Sequence, residues 1–230
     1  MAYLINPEDL DLVESAKEFC ENELKEQCKE FDISGEWPEE LYAAAAELGY
    51  TSLEVPEEYG GPGLEHLTVA AIMEEFGKAD AGFATTIAAS NLALTPVLLF
   101  GTEEQKQTYL RPLIDGSKIG CFGLTEPNAG SDVAGAVTTA EKDGDFYVIN
   151  GAKIFTTNSG FADTFLVFAL TDKSVPAHKG MSAFLVDRNT PGLEVQPDIK
   201  RMGIRAASNA EVYYNNVRVP KEDMLGKEGS

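Results

Sequence analysis

Gly120-Cys-Phe-Gly-Leu-Thr-Glu-Pro-Asn-Ala-Gly-Ser-Asp132 is the stretch on which the reading of this chain turns. A strand pattern runs without a break into Pro, Asn, Gly and Ser. Residues of that kind let backbone N–H groups turn outward and approach an anion closely, and the Ser131 hydroxyl can add a hydrogen bond. Thr125 sits at the strand exit, where a side chain can point into a cleft. On composition alone the segment fits a ligand-facing loop and an ordinary connection equally well.

The chain differs on the two sides of this segment. Upstream, Asn6-Pro7 reads as an N-cap followed by proline at the first helical position. Leu10, Val13, Ala16, Cys20, Leu24, Cys28 and Phe31 then recur at steps of three or four, one face of a helix ending near Gly35. Pro38 opens a second helix, with Leu41 and Leu48 on its apolar face, that stops at Gly49. Residues 55–63 are a turn-rich loop, and Gly60-Gly-Pro-Gly63 follows no strand, which favours a turn over a phosphate loop. Residues 65–78 read as helix. Residues 83–100 are almost all apolar or small and read as a buried central helix that Pro96 should kink or end. Thr102-Glu-Glu-Gln105 is a capping box opening a last helix toward Ile114.

Downstream, residues 119–124, 146–149, 153–157, 164–170, 182–186 and 211–219 are rich in β-branched and aromatic residues and read as short strands. Asp143-Gly-Asp145 and Asn150-Gly151 supply turns between them. The expected fold is therefore α+β and multidomain: an all-α domain over residues 1–116, then a β-barrel or sandwich over residues 117–230. The residues after Val219 read as a tail that leaves the last strand, with nothing packed beyond it.

Composition narrows the function classes. The chain has 230 residues, 43% hydrophobic and 24% charged, as a globular protein does. No stretch reaches the roughly 18–20 uninterrupted apolar residues of a membrane span. Net charge is −20, and residues 1–116 carry 24 acids against 6 bases. Such a surface disfavours nucleic acid, whose phosphates need Lys and Arg. Cys20, Cys28 and Cys121 form no CxxC pair, and with only His66 and His178 as imidazoles a zinc site is not expected. The three thiols read as small buried apolar groups in a reducing compartment. The hydrolase elbow, zinc-protease helix, Walker loop and dinucleotide fingerprint are all missing. The acidic N-terminus shows neither a secretory signal nor a transit peptide, which points to a bacterial cytoplasm.

Leu124-Thr-Glu-Pro-Asn-Ala-Gly-Ser-Asp132 resembles the signature of the acyl-CoA dehydrogenase family. Three more segments agree in order and spacing: residues 101–113 (Gly101-Thr-Glu-Glu-Gln105 and onward), Asn150-Gly-Ala-Lys-Ile-Phe-Thr-Thr-Asn158, and Met202-Gly-Ile-Arg-Ala-Ala-Ser208 with Val219-Pro220 after it. The resemblance spans essentially the whole chain. It implies a helical domain and a middle β domain, with the family's C-terminal helical domain missing, and FAD bound against the β domain. Carried over by position, Phe122, Leu124 and Thr125 would line the flavin ring. Gly130 and Ser131 would approach the cofactor's phosphates, with Ser131 also meeting the substrate. Phe155, Thr156 and Thr157 would cover the other side of the ring. Many relatives carry Trp at the position of Phe155 and an aliphatic residue at that of Thr156.

The implied reaction is α,β-dehydrogenation of an acyl-CoA thioester to the trans-2-enoyl-CoA in fatty acid β-oxidation. Electrons would pass to an electron-transfer flavoprotein, and the full-length protein would be a homotetramer. The family's catalytic base belongs to the missing domain, so no catalytic residue is assigned here, and Glu126 is read as a structural carboxylate. The fragment alone would be inactive. The same residues also suit a truncated module that binds acyl-CoA or flavin without chemistry, or an enoyl-CoA reductase on the same fold.

Overall fold

A computed structural model describes residues 5–229; the first four residues of the acidic N-terminus, and Ser230, lie outside them. The first apolar stripe forms α1 (Leu10–Phe19), a π turn over Cys20–Leu24 and α2 (Lys25–Ser34), closed by Gly35 in the left-handed conformation at φ 73°. The buried positions Ala16, Cys20, Leu24 and Cys28 are four apart. Steps of four overshoot an α-helical turn by roughly 40° each, and the wider π turn, where the Lys25 N–H reaches back to the Cys20 carbonyl, absorbs that drift. Asn6 does not cap with its side chain; only its carbonyl takes part, accepting the Asp9 N–H at 2.9 Å.

Helices α3 (Glu39–Glu47), α4 (His66–Ala79) and α5 (Ala81–Phe100) complete the helical core. Its centre is aromatic: Phe76 lies 5.2 Å from Tyr50, 5.9 Å from Phe19 and 5.9 Å from Phe83, ring centre to ring centre. Asp80 separates α4 from α5, and its carboxylate caps α5 by accepting the Phe83 N–H at 2.6 Å. Pro96 does not end α5, which runs on to Phe100. The carbonyl that Pro96 leaves without a donor is that of Leu92, an exposed residue, so water can serve it. Length and composition would let α5 cross a membrane, but Phe83, Ile87, Ala93, Leu94 and Val97 are buried within the protein. The capping box at Thr102 forms as read, and α6 (Glu103–Gln105), a second π turn and α7 (Arg111–Ile114) follow.

The β half comprises β1 (Gly120–Gly123), β2 (Thr139–Asp143), β3 (Phe146–Thr157), β4 (Thr164–Leu170), β5 (Met181–Asp187), β6 (Leu193–Val195), β7 (Asn209–Pro220) and β8 (Met224–Leu225). Among the described residues they pair in the order β6-β7-β3-β2-β4-β5-β8, with β1 beside β4. This path has two free ends, so the sheet is not closed into a barrel. β2 meets β4 only at Thr139 and Leu170, which splits the sheet into two lobes. Cys121, Tyr147, Ile149, Phe165, Val167, Phe184, Val212 and Tyr214 pack into one core, giving a sandwich-like layer.

Asn150-Gly151 is not a turn. β3 runs through it as one long strand, with a register shift against β7 between Ile149 and Gly151. A Cβ on Gly151 would fall 2.4 Å from the Thr138 hydroxyl, so a close backbone approach explains that glycine. The tail after Val219 does not hang free either: β8 pairs with β5. A third core, of Ala93, Leu94, Val97, Leu113, Leu166 and Leu185, joins α5 and α7 to the sheet. There Gly120 lets β1 approach α5, since a Cβ would come within 2.6 Å of the Ala93 methyl.

Candidate functional site

The signature segment leaves β1 and folds into a tight turn. Glu126 and Ala129 exchange both backbone hydrogen bonds at 3.0 Å across Pro127 and Asn128. This turn leaves Gly130 and Ser131 exposed. Gly130 has an ordinary φ, and nothing lies within 4 Å of where its Cβ would be. Among the described residues no contact requires glycine there.

Leu124 and Thr125 are half-buried at the strand exit. The Thr125 carbonyl accepts the Ile154 N–H at 2.8 Å, which ties the loop to β3 one residue before Phe155. There β3 breaks register with β7 between Lys153 and Thr156. Phe155 occupies the bulge at φ 57°, rare for a bulky residue, and its ring is 59% exposed. Thr125 and Phe155 are thus brought together by backbone hydrogen bonding. Thr157 is half-buried two residues on, and its hydroxyl accepts from the Asn209 amide at 3.2 Å. Phe122 is half-buried on β1 and packs on Phe168, 5.1 Å between ring centres.

Thr156 does not reach the exposed face. Strand alternation turns it inward, where it is 1% exposed and its hydroxyl has no hydrogen-bond partner. Of residues 155–157, only Phe155 and Thr157 can present side chains outward.

Glu126 is wholly committed to holding the loop. One carboxylate oxygen accepts the Val137 N–H at 2.7 Å; the other accepts the Thr138 N–H at 3.0 Å and the Lys153 ammonium at 2.8 Å. Lys153 also donates to the Leu124 carbonyl at 3.0 Å. Both side chains are buried, at 2% and 0% exposure. Burial alone would raise the Glu126 carboxyl, but Lys153 and the two N–H groups outweigh it and hold the pKa below the usual carboxylate range. For Lys153 burial wins, and its pKa falls below the ordinary lysine value despite Glu126. The pattern of residues alone did not single out Lys153. The one available signal was a lysine among the apolar residues of the strand 153–157.

Beyond Thr157 the chain is pinned again. Asn158, at φ 70°, donates to the Thr86 carbonyl of α5 at 2.9 Å and the Gly120 carbonyl of β1 at 3.3 Å. The Arg188 guanidinium donates to the carbonyls of Ser159, Gly160 and Ala162. The exposed Phe155 ring therefore sits between two fixed points, Lys153 and Asn158.

Comparisons with known proteins agree with this arrangement. The family model described as acyl-CoA dehydrogenase, N-terminal domain, matches residues 6–117, and the middle-domain model matches residues 121–217. The short-chain specific acyl-CoA dehydrogenase of Megasphaera elsdenii is 42% identical over 224 residues, 95% of this chain and 58% of that protein. A chain in the solved structure of the electron transferring flavoprotein of Acidaminococcus fermentans superposes with a TM-score of 0.93 at 42% identity, covering 98% of this chain and 59% of that one. A glutaryl-CoA dehydrogenase from Mycobacterium smegmatis, in complex with FADH2, superposes with a TM-score of 0.92 at 31% identity, covering 100% of this chain and 58% of that one. The chain spans somewhat under 60% of the length of each of these three. With a helical half, a sandwich-like half that carries the signature turn after its first strand, and both domain models matched in order, the chain belongs to the acyl-CoA dehydrogenase family.

Proposed function

We propose that this chain supplies the flavin-facing part of an FAD-dependent oxidoreductase that converts an acyl-CoA thioester to the trans-2-enoyl-CoA. Residues 1–116 form its helical unit and residues 117–230 its flavin-binding unit. Phe122, Leu124, Thr125, Phe155 and Thr157 hold the ring, Thr156 contributes backbone only, and Gly130 and Ser131 meet the phosphates. When bound, FAD supplies the acceptor for the hydride from the substrate's β-carbon. The observation that carries this reading is Phe155: a large ring held out toward solvent by a left-handed bulge, beside Thr125. Exposing so much apolar surface costs stability unless a flat partner covers it. Gly130 adds support, because among the described residues no contact requires its missing side chain.

The α-proton needs a carboxylate within reach. Glu126 cannot serve, since both its oxygens are already bonded. The resemblance to the family assigns the base to its C-terminal helical domain, and on that reading the chain alone does not turn over. Short, straight-chain acyl groups are the expected substrates, supported by the short-chain relative. An electron-transfer flavoprotein takes the electrons, supported by the Acidaminococcus likeness; a homotetrameric whole protein is part of the same proposal and rests on the family resemblance alone.

The test is to incubate the purified chain with FAD, desalt it and record its visible spectrum. A retained flavin band is expected, with no bleaching by butyryl-CoA. A colourless chain, and a colourless longer version that includes the C-terminal domain, would overturn the flavin assignment.

A further inference from the structure

Lys153 and Glu126 are titratable, buried and unused by the reaction proposed above. Their contacts are few and specific. Glu126 closes a loop of a dozen residues by taking the N–H groups of Val137 and Thr138 from its far end. Lys153 ties that closed loop to β3 through the Leu124 carbonyl and Glu126. The bulge that turns Phe155 outward begins at the next residue. Gly123 leaves room for the lysine stem, which lies 3.4 Å from the place its Cβ would occupy. One buried pair therefore joins the two segments that present Thr125 and Phe155, which are 30 residues apart in sequence.

We propose that Lys153 and Glu126 are positioning residues, a buried clasp that locks the signature loop and the Phe155 bulge into a single rigid surface for the flavin ring. The proposal rests on the flavin reading above. Neither side chain touches the ring; each acts through the backbone it holds. A buried ion pair is a poor source of stability compared with apolar packing, while losing one member leaves an uncompensated charge. A clasp selected for shape should thus suffer badly from single substitutions and tolerate joint neutralisation.

The experiment uses the intact protein with FAD. Glu126→Gln keeps every heavy-atom position, Lys153→Met keeps the stem, and the double variant removes both charges. Each single variant is expected to raise the FAD dissociation constant on the order of 100-fold and to change the visible circular dichroism of the flavin at saturation. The double variant should return to within about 10-fold of the parent. Unaltered FAD affinity and dichroism, with only a lower melting temperature, would overturn the proposal and leave a purely structural pair.

A second readout needs no flavin. The Ile154 amide hydrogen-bonds to the Thr125 carbonyl rather than to either charged side chain. In the apo protein its hydrogen exchange should quicken in Glu126→Gln along with Val137 and Thr138, while amides of the β4–β5 pairing stay protected. If the parent retains no FAD, the flavin reading fails and this exchange decides the clasp by itself. Unchanged Ile154 exchange would then overturn it.

Discussion

The ion pair at the site and those on the helical surface use the same residue types in opposite ways, while the other sheet pairs, Lys173–Glu141, Arg218–Asp143 and Lys221–Asp145, are solvent-exposed like the helical ones. On the helical surface, Lys17 pairs with Glu14, and Lys78 with Glu74 and Glu75, all within one turn and all in contact with solvent. In the sheet half, Lys153 and Glu126 pair across 27 residues with no exposure to speak of. Solvent-exposed pairs within a helix turn are screened by water and salt and decide little about shape. A buried pair is costly to form, and what it returns is a fixed geometry. The helical half gets its shape from an aromatic core and can carry a charge of −18 on its surface. The site is held by backbone bonding, by Asn158 and Arg188, and by one buried ion pair.

The sharpest way to break this contrast is to remove the buried cation. Lys153→Met should destabilise the fold by about 3–5 kcal/mol in denaturant titration, because Glu126 is left charged and buried. A loss no greater than that of a surface substitution would sink the contrast. The same pair gives a pH signature. The folded Glu126 pKa is depressed, so its contribution is fully present above the ordinary glutamate pKa of about 4.3 and is lost as pH falls through the folded value. Parent and Glu126→Gln stabilities should therefore differ most near neutrality and converge in acid. A gap that widens on acidification would contradict the assigned direction.

What could be read in advance follows the range of the forces involved. Caps, turns and helix stops depend on neighbours within four residues, so Thr102-Glu-Glu-Gln105 and Gly35 were legible. The signature loop was legible as a pattern, but the partners that make Glu126 structural, Val137, Thr138 and Lys153, all lie outside the segment. The clasp was not legible, since nothing in sequence spacing links residue 126 to residue 153. Asn150-Gly151 misled for a related reason. Asn-Gly favours hairpin turns locally, but Thr138 packs against Gly151 and keeps β3 extended. Pro96 does not end α5, of the two effects expected of it, because the carbonyl it frees belongs to the exposed Leu92 and can meet water. Of the two expected forms, barrel or sandwich, the sandwich holds, because β6 and β8 end the strand path without pairing with each other.

Two intermediate effects sharpen the comparison between local and long-range control. Thr102→Ala removes a cap that accepts the Gln105 N–H at 3.2 Å, and should cost about 1 kcal/mol in thermal unfolding. Gln105 also donates its side-chain amide to the carbonyls of Glu222 and Met224, so a larger loss would mean that the cap orients this long-range contact. Thr156→Val replaces a buried hydroxyl with no partner by a methyl of similar shape. It should stabilise the chain by about 1 kcal/mol. Destabilisation would mean that an ordered water serves that hydroxyl.

The smallest effect is the control for all of these. Lys78 sits 3.1 Å from Glu74 and 2.7 Å from Glu75, with 57% of its side chain exposed. Its pKa is raised, first by the hydrogen bond to Glu75 and then by that to Glu74, while burial opposes both. Each charge is nonetheless hydrated with or without its partner, so the pair gains little that water does not already supply. Lys78→Ala takes the net charge from −20 to −21, a minor addition to repulsion already spread over the helical surface. At physiological salt, where charges beyond about 8 Å are screened, the melting temperature should not move measurably. A drop that added salt abolishes would show that the acidic helical face depends on its few cations. The two halves would then differ in degree of burial alone, and the contrast drawn from Lys153 would lose its force.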